Sequence, residues 1–284
     1  MYPNRRMLFS AILCLVTAII LSQYVSPLSL WAKSFVTKTQ SVRPLTGIKT
    51  SSGNMSRTPV YFMSHGGPNI MEDYQHPAYK KLQEIGREIT QNVKPKGVVV
   101  FSAHWQAKPS TVQVNTAEIT ELIYEWVYPR DRQCRSLTID SYYGFPAHYY
   151  KIQYPNVGNK ALAESVLARL KAAGIQAEGV KRGLDHGVFA PFRVAFDPEK
   201  NPLQVPIVQV SLFDNDDANA HYKLGQAISS LRDEGVQIIV SGMAVHNLRD
   251  LWTAMNRPGP MPYTTSFDQA LKEAVEQPVR HPFR

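Results

Sequence analysis

Three histidines stand where apolar stretches of this 284-residue chain come to an end. His65 directly follows the run Val60–Ser64, in Ser64-His65-Gly66-Gly67-Pro68, and His104 closes Gly97–Ala103, in Ser102-Ala103-His104-Trp105. His246 follows the run Val236–Ser241, in Ser241-Gly242-Met243-Ala244-Val245-His246-Asn247. A lone histidine at a strand end is more often a hydrogen-bonded structural residue than a ligand. Joint placement reverses that reading, because in open α/β sheets the ligand crevice lies outside the carboxyl ends of the strands, where residues distant in sequence converge. Neutral imidazoles suit iron, zinc, copper or nickel, and a face of three nitrogens leaves positions open for substrate or dioxygen.

A fourth histidine, His186, lies in Leu184-Asp185-His186-Gly187, beside an acid and just ahead of a helix expected to begin at Val188. It is either a further ligand or a proton-transfer base, since its ordinary pKa is near neutrality. Glycines beside these histidines let backbone and ligand approach closely. The other four histidines do not fit the pattern. His76 precedes Pro77 at a helix start, His148 sits among Tyr149 and Tyr150, His221 is on a polar helix and His281 is near the chain end. They are read as structural or exposed.

Bringing these side chains together requires strands that end on one edge. Four apolar runs, Val60–Ser64, Gly97–Ala103, Pro206–Leu212 and Val236–Ser241, alternate with helical patterns at His76–Gln91, Lys160–Ala173 and Ala218–Glu234. Continuous apolar strands, rather than strands alternating polar and apolar, belong to sheets covered on both sides. The fold class is therefore α/β, with a mainly parallel central sheet, helices on both faces and a single catalytic domain after an N-terminal apolar leader. Residues 118–155, rich in Tyr and Pro, are expected to form a long excursion over one edge of the sheet. Trp105, Tyr143 and Phe145 are candidates for the walls of an aromatic pocket, or equally for core residues.

The formal charge of +8 is concentrated at the N-terminus. Residues 1–57 hold seven Lys and Arg and no Asp or Glu, leaving 24 bases against 23 acids in the rest of the chain. The domain itself is near neutral, which argues against nucleic acid as a partner. Of the two cysteines, Cys14 is in the leader and Cys134 stands alone beyond it, which excludes a disulfide framework and a thiolate zinc site. Any metal must be held by nitrogen and oxygen. Residues 1–32 form the apolar leader, 33–57 a basic Ser/Thr-rich stalk and 58–284 the catalytic domain. The leader is expected to anchor the protein in a membrane through residues 7–31. An organellar presequence and a cleaved secretory signal are the other readings.

Taken together the motifs resemble the class III extradiol ring-cleavage dioxygenases, in their DOPA-4,5-dioxygenase-like branch. The matching segments are Ser64-His65-Gly66-Gly67-Pro68, Val99-Val100-Phe101-Ser102-Ala103-His104-Trp105, Tyr143-Gly144-Phe145-Pro146 with Tyr154-Pro155, Gly183-Leu184-Asp185-His186-Gly187, Pro206-Ile207-Val208-Gln209-Val210-Ser211, and Ser241-Gly242 with His246-Asn247-Leu248. They run in family order from residue 58 to about 275. The resemblance implies a non-haem Fe(II) site in which His65, His104 and His246 bind metal, and a His186 that is the acid/base or part of the metal cluster. It also implies a small aromatic diol and O₂ as reactants, with Zn(II) possible in the site. A non-catalytic ligand- or peptide-binding protein of the same fold and a zinc-dependent hydrolase are the competing readings. Family members continue past the equivalent of Phe267-Asp268 through a longer tail, whereas this chain stops at His281-Pro282-Phe283-Arg284, so the terminal helix is expected to be lost or shortened.

Overall fold

A computed structural model describes residues 57–124, 146–244, 247, 249–250, 253–254 and 256–276. In chain order the main elements are β1 (Val60–Ser64), α1 (Pro77–Arg87), β2 (Gly97–Gln106), β3 (Thr111–Asn115), α2 (Lys160–Ala172), β4 (Gln176–Val180), α3 (His186–Ala195), β5 (Ile207–Leu212), α4 (Ala218–Ile228), β6 (Val236–Gly242) and α5 (Pro262–Glu276). The six strands form one sheet in the order β1-β6-β2-β5-β3-β4. Every pairing is parallel except that of β3 with β5.

The helices form where local chemistry allows. α1 begins with Pro77 in its first turn, where a missing N–H costs nothing, and the His76 side chain accepts from the Ala78 N–H. Asn159 caps α2 by accepting from Leu162 N–H, and Asp217 caps α4 by accepting from Asn219 and Ala220. α1 runs on through a π turn over Glu88–Val93, which ends at Lys94 with φ at 50°.

Two apolar clusters show how the layers stack. Val98 and Val100 of β2 and Ile239 of β6 pack with Leu82 of α1 and with Val188, Phe189 and Phe192 of α3. Val99 and Phe101, with Ile238 and Val240, pack on the other face with Val166 and Leu170 of α2 and Leu224 and Ile228 of α4. Successive strand residues thus enter opposite cores, which is why the strands read as continuous apolar runs. The expected mainly parallel α/β sheet with helices on both faces is what folds.

Membrane anchoring through residues 7–31 does not stand. Among the described residues no helix is long and apolar enough to cross a membrane. The longest, α5, has 15 residues, whereas a bilayer demands roughly 20. Residues 1–56 and 277–284, on which the leader, the stalk and the shortened tail fall, lie outside the described residues.

Candidate metal centre

The parallel register brings three strand ends to one edge. Ser64 of β1 lies opposite Gly242 of β6, and Ser102 of β2 opposite Ser241 of β6, so β6 ends between its two neighbours. His65 leaves β1 with its backbone N–H donating to the Gly242 carbonyl at 3.3 Å. β2 is longer than the apolar run suggests and continues to Gln106. Its pairing with β5 passes from Phe101↔Val210 directly to Gln106↔Leu212, so four residues of β2 face one of β5. His104 sits in that bulge, a device that re-aims a side chain at a sheet edge.

His186 arrives from a different element. It is the first residue of α3, two residues earlier than the expected start, with Asp185 at the N-cap. The glycine after it permits a close approach: a Cβ on Gly187 would stand 2.5 Å from Ser102 Oγ and 2.9 Å from His104 Cδ2. A side chain there would have to displace one of them.

These elements bring His65, His104 and His186 together, one ring nitrogen from each lying within 4.8 Å of the others. Ring centroids are 4.9 Å apart for His65 and His104, 4.0 Å for His104 and His186, and 5.7 Å for His65 and His186. Ligands on a common ion, with bonds of about 2 Å, lie no more than about 4 Å apart. Closing the set around an ion therefore takes only a small movement of the rings. His65 and His186 are buried and His104 is half-buried.

The protonation states suit a cation. His65 Nδ1 lies 2.6 Å from the Gly66 carbonyl, which can only accept, so the proton sits on Nδ1 and the Nε2 lone pair remains for a ligand. Burial pushes the His186 pKa down to about 4, with the Asp185 charge opposing that shift. His186 is therefore a neutral imidazole at physiological pH. An all-nitrogen donor set of this kind fits a borderline divalent metal.

Of the residues around the histidines, sequence reasoning named Asp185 only as the acid beside His186, and Ser102, Gln209 and Ser241 only as parts of motifs. Asp185 is fully buried; its Oδ1 accepts from Ser102 Oγ at 2.6 Å, and its Oδ2 accepts from Arg182 at 2.9 Å and from Gln209 Nε2. Ser241 Oγ donates to the Gly187 carbonyl. The signal available in the sequence was the isolated polar residue inside each apolar strand: Ser102, Gln209 and Ser241. Trp105 is 5% exposed, donates to Gln113 Oε1 at 3.3 Å and carries the Arg182 guanidinium 4.6 Å from its ring centroid. His246, Tyr143 and Phe145 lie outside the described residues. Of the other histidines, His76 caps α1, His148 pairs with Glu72 at the surface and His221 is buried against Phe213.

A family profile described as the catalytic LigB subunit of aromatic ring-opening dioxygenase matches residues 54–281. The chain belongs to the LigB family. Within that family it is 35% identical over 228 residues to a 4,5-DOPA dioxygenase extradiol of Beta vulgaris, covering 79% of this chain and 75% of that protein. It is 30% identical over 219 residues to a 4,5-DOPA dioxygenase extradiol of Escherichia coli strain K12, covering 76% and 70%. The crystal structure of an uncharacterized protein from Escherichia coli K12 superposes with a TM-score of 0.54 at 28% identity, covering 76% of this chain and 72% of that one. This LigB-family chain is an extradiol ring-opening dioxygenase of the DOPA-4,5-dioxygenase-like branch, and the reading as a non-catalytic binding protein falls away.

Proposed function

We propose that this LigB-family enzyme opens the ring of a catechol of the DOPA type with O₂, using a non-haem Fe(II) ion held by His65, His104 and His246, with His186 facing the same point. The observation that carries the reading is the meeting of three imidazoles, from β1, β2 and α3, within 4.8 Å in a chain of this family.

The ion would supply open coordination positions and, as Fe(II), redox chemistry toward O₂ that Zn(II) lacks, which makes zinc a substitute. The chain's own residues do the rest. His65 presents Nε2 because its Nδ1–H is occupied by Gly66. His186, kept neutral by burial, takes a proton from a diol hydroxyl on a ring nitrogen and returns it as the ring opens at the bond between one hydroxyl-bearing carbon and its neighbour outside the diol. Trp105, Tyr143 and Phe145 hold the aromatic ring of the substrate.

The test is to load the purified chain anaerobically with Fe(II), add DOPA and a panel of other catechols with O₂, and follow oxygen uptake and the yellow ring-opened product. Uptake with a DOPA-type catechol is expected. Stoichiometric Fe(II) at the histidines with no uptake on any catechol would overturn the reading.

A further inference from the structure

We propose that Asp185 is a positioning residue of the histidine centre: it fixes the spacing of His104 and His186, and with it the affinity of the centre for a divalent metal, without touching the metal. This inference rests on the metal reading of the site given above.

An aspartate at a helix N-cap ordinarily accepts hydrogen bonds from the helix's own first N–H groups. At the head of α3 the Asp185 side chain makes no such bond. Its carboxylate turns the other way, into the sheet, where it has no solvent and three donors. Ser102 of β2 donates to Oδ1, while Arg182 and Gln209 of β5 donate to Oδ2. Ser102 and Gln209 are fully buried, and the Arg182 backbone is itself fixed, its N–H and carbonyl both bonded to the Asn115 side chain. A buried carboxylate needs such partners, and the guanidinium makes one of those bonds charge-assisted and so offsets part of the cost of burying the charge.

The same Ser102 hydroxyl that donates to Asp185 accepts the backbone N–H of His104 at 3.2 Å. A continuous path therefore runs from the His104 backbone through Ser102 to the Asp185 carboxylate, and on through one peptide bond to His186. It spans the β2 bulge, where the ladder to β5 is interrupted. With Gly187 pressed against the His104 ring, the path holds the two imidazoles at their 4.0 Å separation. Asp185 is not itself a ligand, because both its oxygens are engaged by donors and it stands outside the group of side chains that meet at metal distance. Residues that orient ligands in this way typically set metal affinity by about 10- to 100-fold.

The test is anaerobic Co(II) titration of the full chain, read by the visible ligand-field spectrum and by competition with a chelator, for wild type, Ser102→Ala, Asp185→Asn and His104→Ala. Ser102→Ala is expected to fold, by circular dichroism, and to bind Co(II) about tenfold more weakly with an altered spectrum; Asp185→Asn is expected to be weaker by about 10- to 100-fold. Should Asp185→Asn not fold, Ser102→Ala decides alone, since it leaves Arg182 and Gln209 on the carboxylate. Folded variants with the wild-type affinity and spectrum overturn the positioning role and leave the metal site standing. Wild-type protein that takes up no Co(II), or His104→Ala that binds it as wild type does, overturns the metal reading and this inference with it.

Discussion

The hydroxyl of Ser241, at the end of β6, donates to the carbonyl of Gly187 in the first turn of α3. Pro191 lies four residues beyond Gly187 inside the same helix and has no N–H with which to make the bond expected of that position. A side chain from the sheet thus replaces a donor the helix lacks, and β6 is tied to the segment that carries His186. Ser241→Ala should leave a buried carbonyl unsatisfied and cost about 1–3 kcal/mol in chemical denaturation. In a Pro191→Ala background the restored N–H should take over, and the same substitution should cost clearly less. An equal cost in both backgrounds would remove the compensation.

Replacing the histidines one at a time should separate holding the ion from moving the proton. His65→Ala and His104→Ala are expected to lose iron outright, whereas His186→Ala keeps some iron and loses most of its turnover. Metal content by elemental analysis and kcat by oxygen uptake read the two effects separately. Equal metal loss in all three variants would make His186 an ordinary ligand, consistent with how close it stands to the other two.

Strands β1, β2, β5 and β6, with His65 and His104, were legible: burial on both faces forces continuous apolar runs on β2, β5 and β6, the edge strand β1 is apolar from Val60 to Met63, and such runs locate their own ends. β3 and β4 were not. Gln176–Val180 is a short, half-exposed edge strand containing Gly179, and Thr111–Asn115 joins β5 at a single antiparallel pair, so neither carries a strong apolar signature. The start of α3 was misjudged by two residues because Asp185, a good cap by type, has its carboxylate committed elsewhere. Ser102, Gln209 and Ser241 each look like an isolated interruption in an apolar run. Their common target, the first turn of α3, exists only after the sheet has formed.

Acid should weaken the metal-free protein before its carboxylates titrate. His186 has a folded pKa of about 4 against an ordinary 6.5, and burial also lowers that of His221. Between those values the unfolded chain binds protons that the folded chain refuses, so stability rises with pH through the window and is lost as pH falls from 6.5 toward 4. His186 alone should account for about 2 kcal/mol between pH 7.5 and pH 5. Urea denaturation of chelator-treated protein at several pH values measures this. The slope should be shallower in His186→Asn, and an unchanged slope would show that His186 is not held neutral by burial.

Two glycines separate the framework from the chemistry. At Gly86 of α1 an added Cβ would fall on the Ala195 carbonyl and within 2.8 Å of the Ala195 Cα, so α1 and α3 touch backbone to backbone there. Helix propensity alone would favour alanine at Gly86 by about 1 kcal/mol. The clash must outweigh that gain, because the obstacle is backbone rather than the end of a flexible side chain, and overpacking of this kind costs about 1–3 kcal/mol. Gly86→Ala should therefore lower the melting temperature by roughly 3 to 10 °C while each folded molecule keeps its kcat. At Gly187 the neighbours are Ser102 Oγ and the His104 ring, which can yield by moving. Gly187→Ala should cost less stability but shift His104, reducing kcat by about tenfold or more. Thermal melts and oxygen-uptake kinetics on both variants check the pair, and the reverse ranking would mean that the close approach at Gly187 serves packing alone.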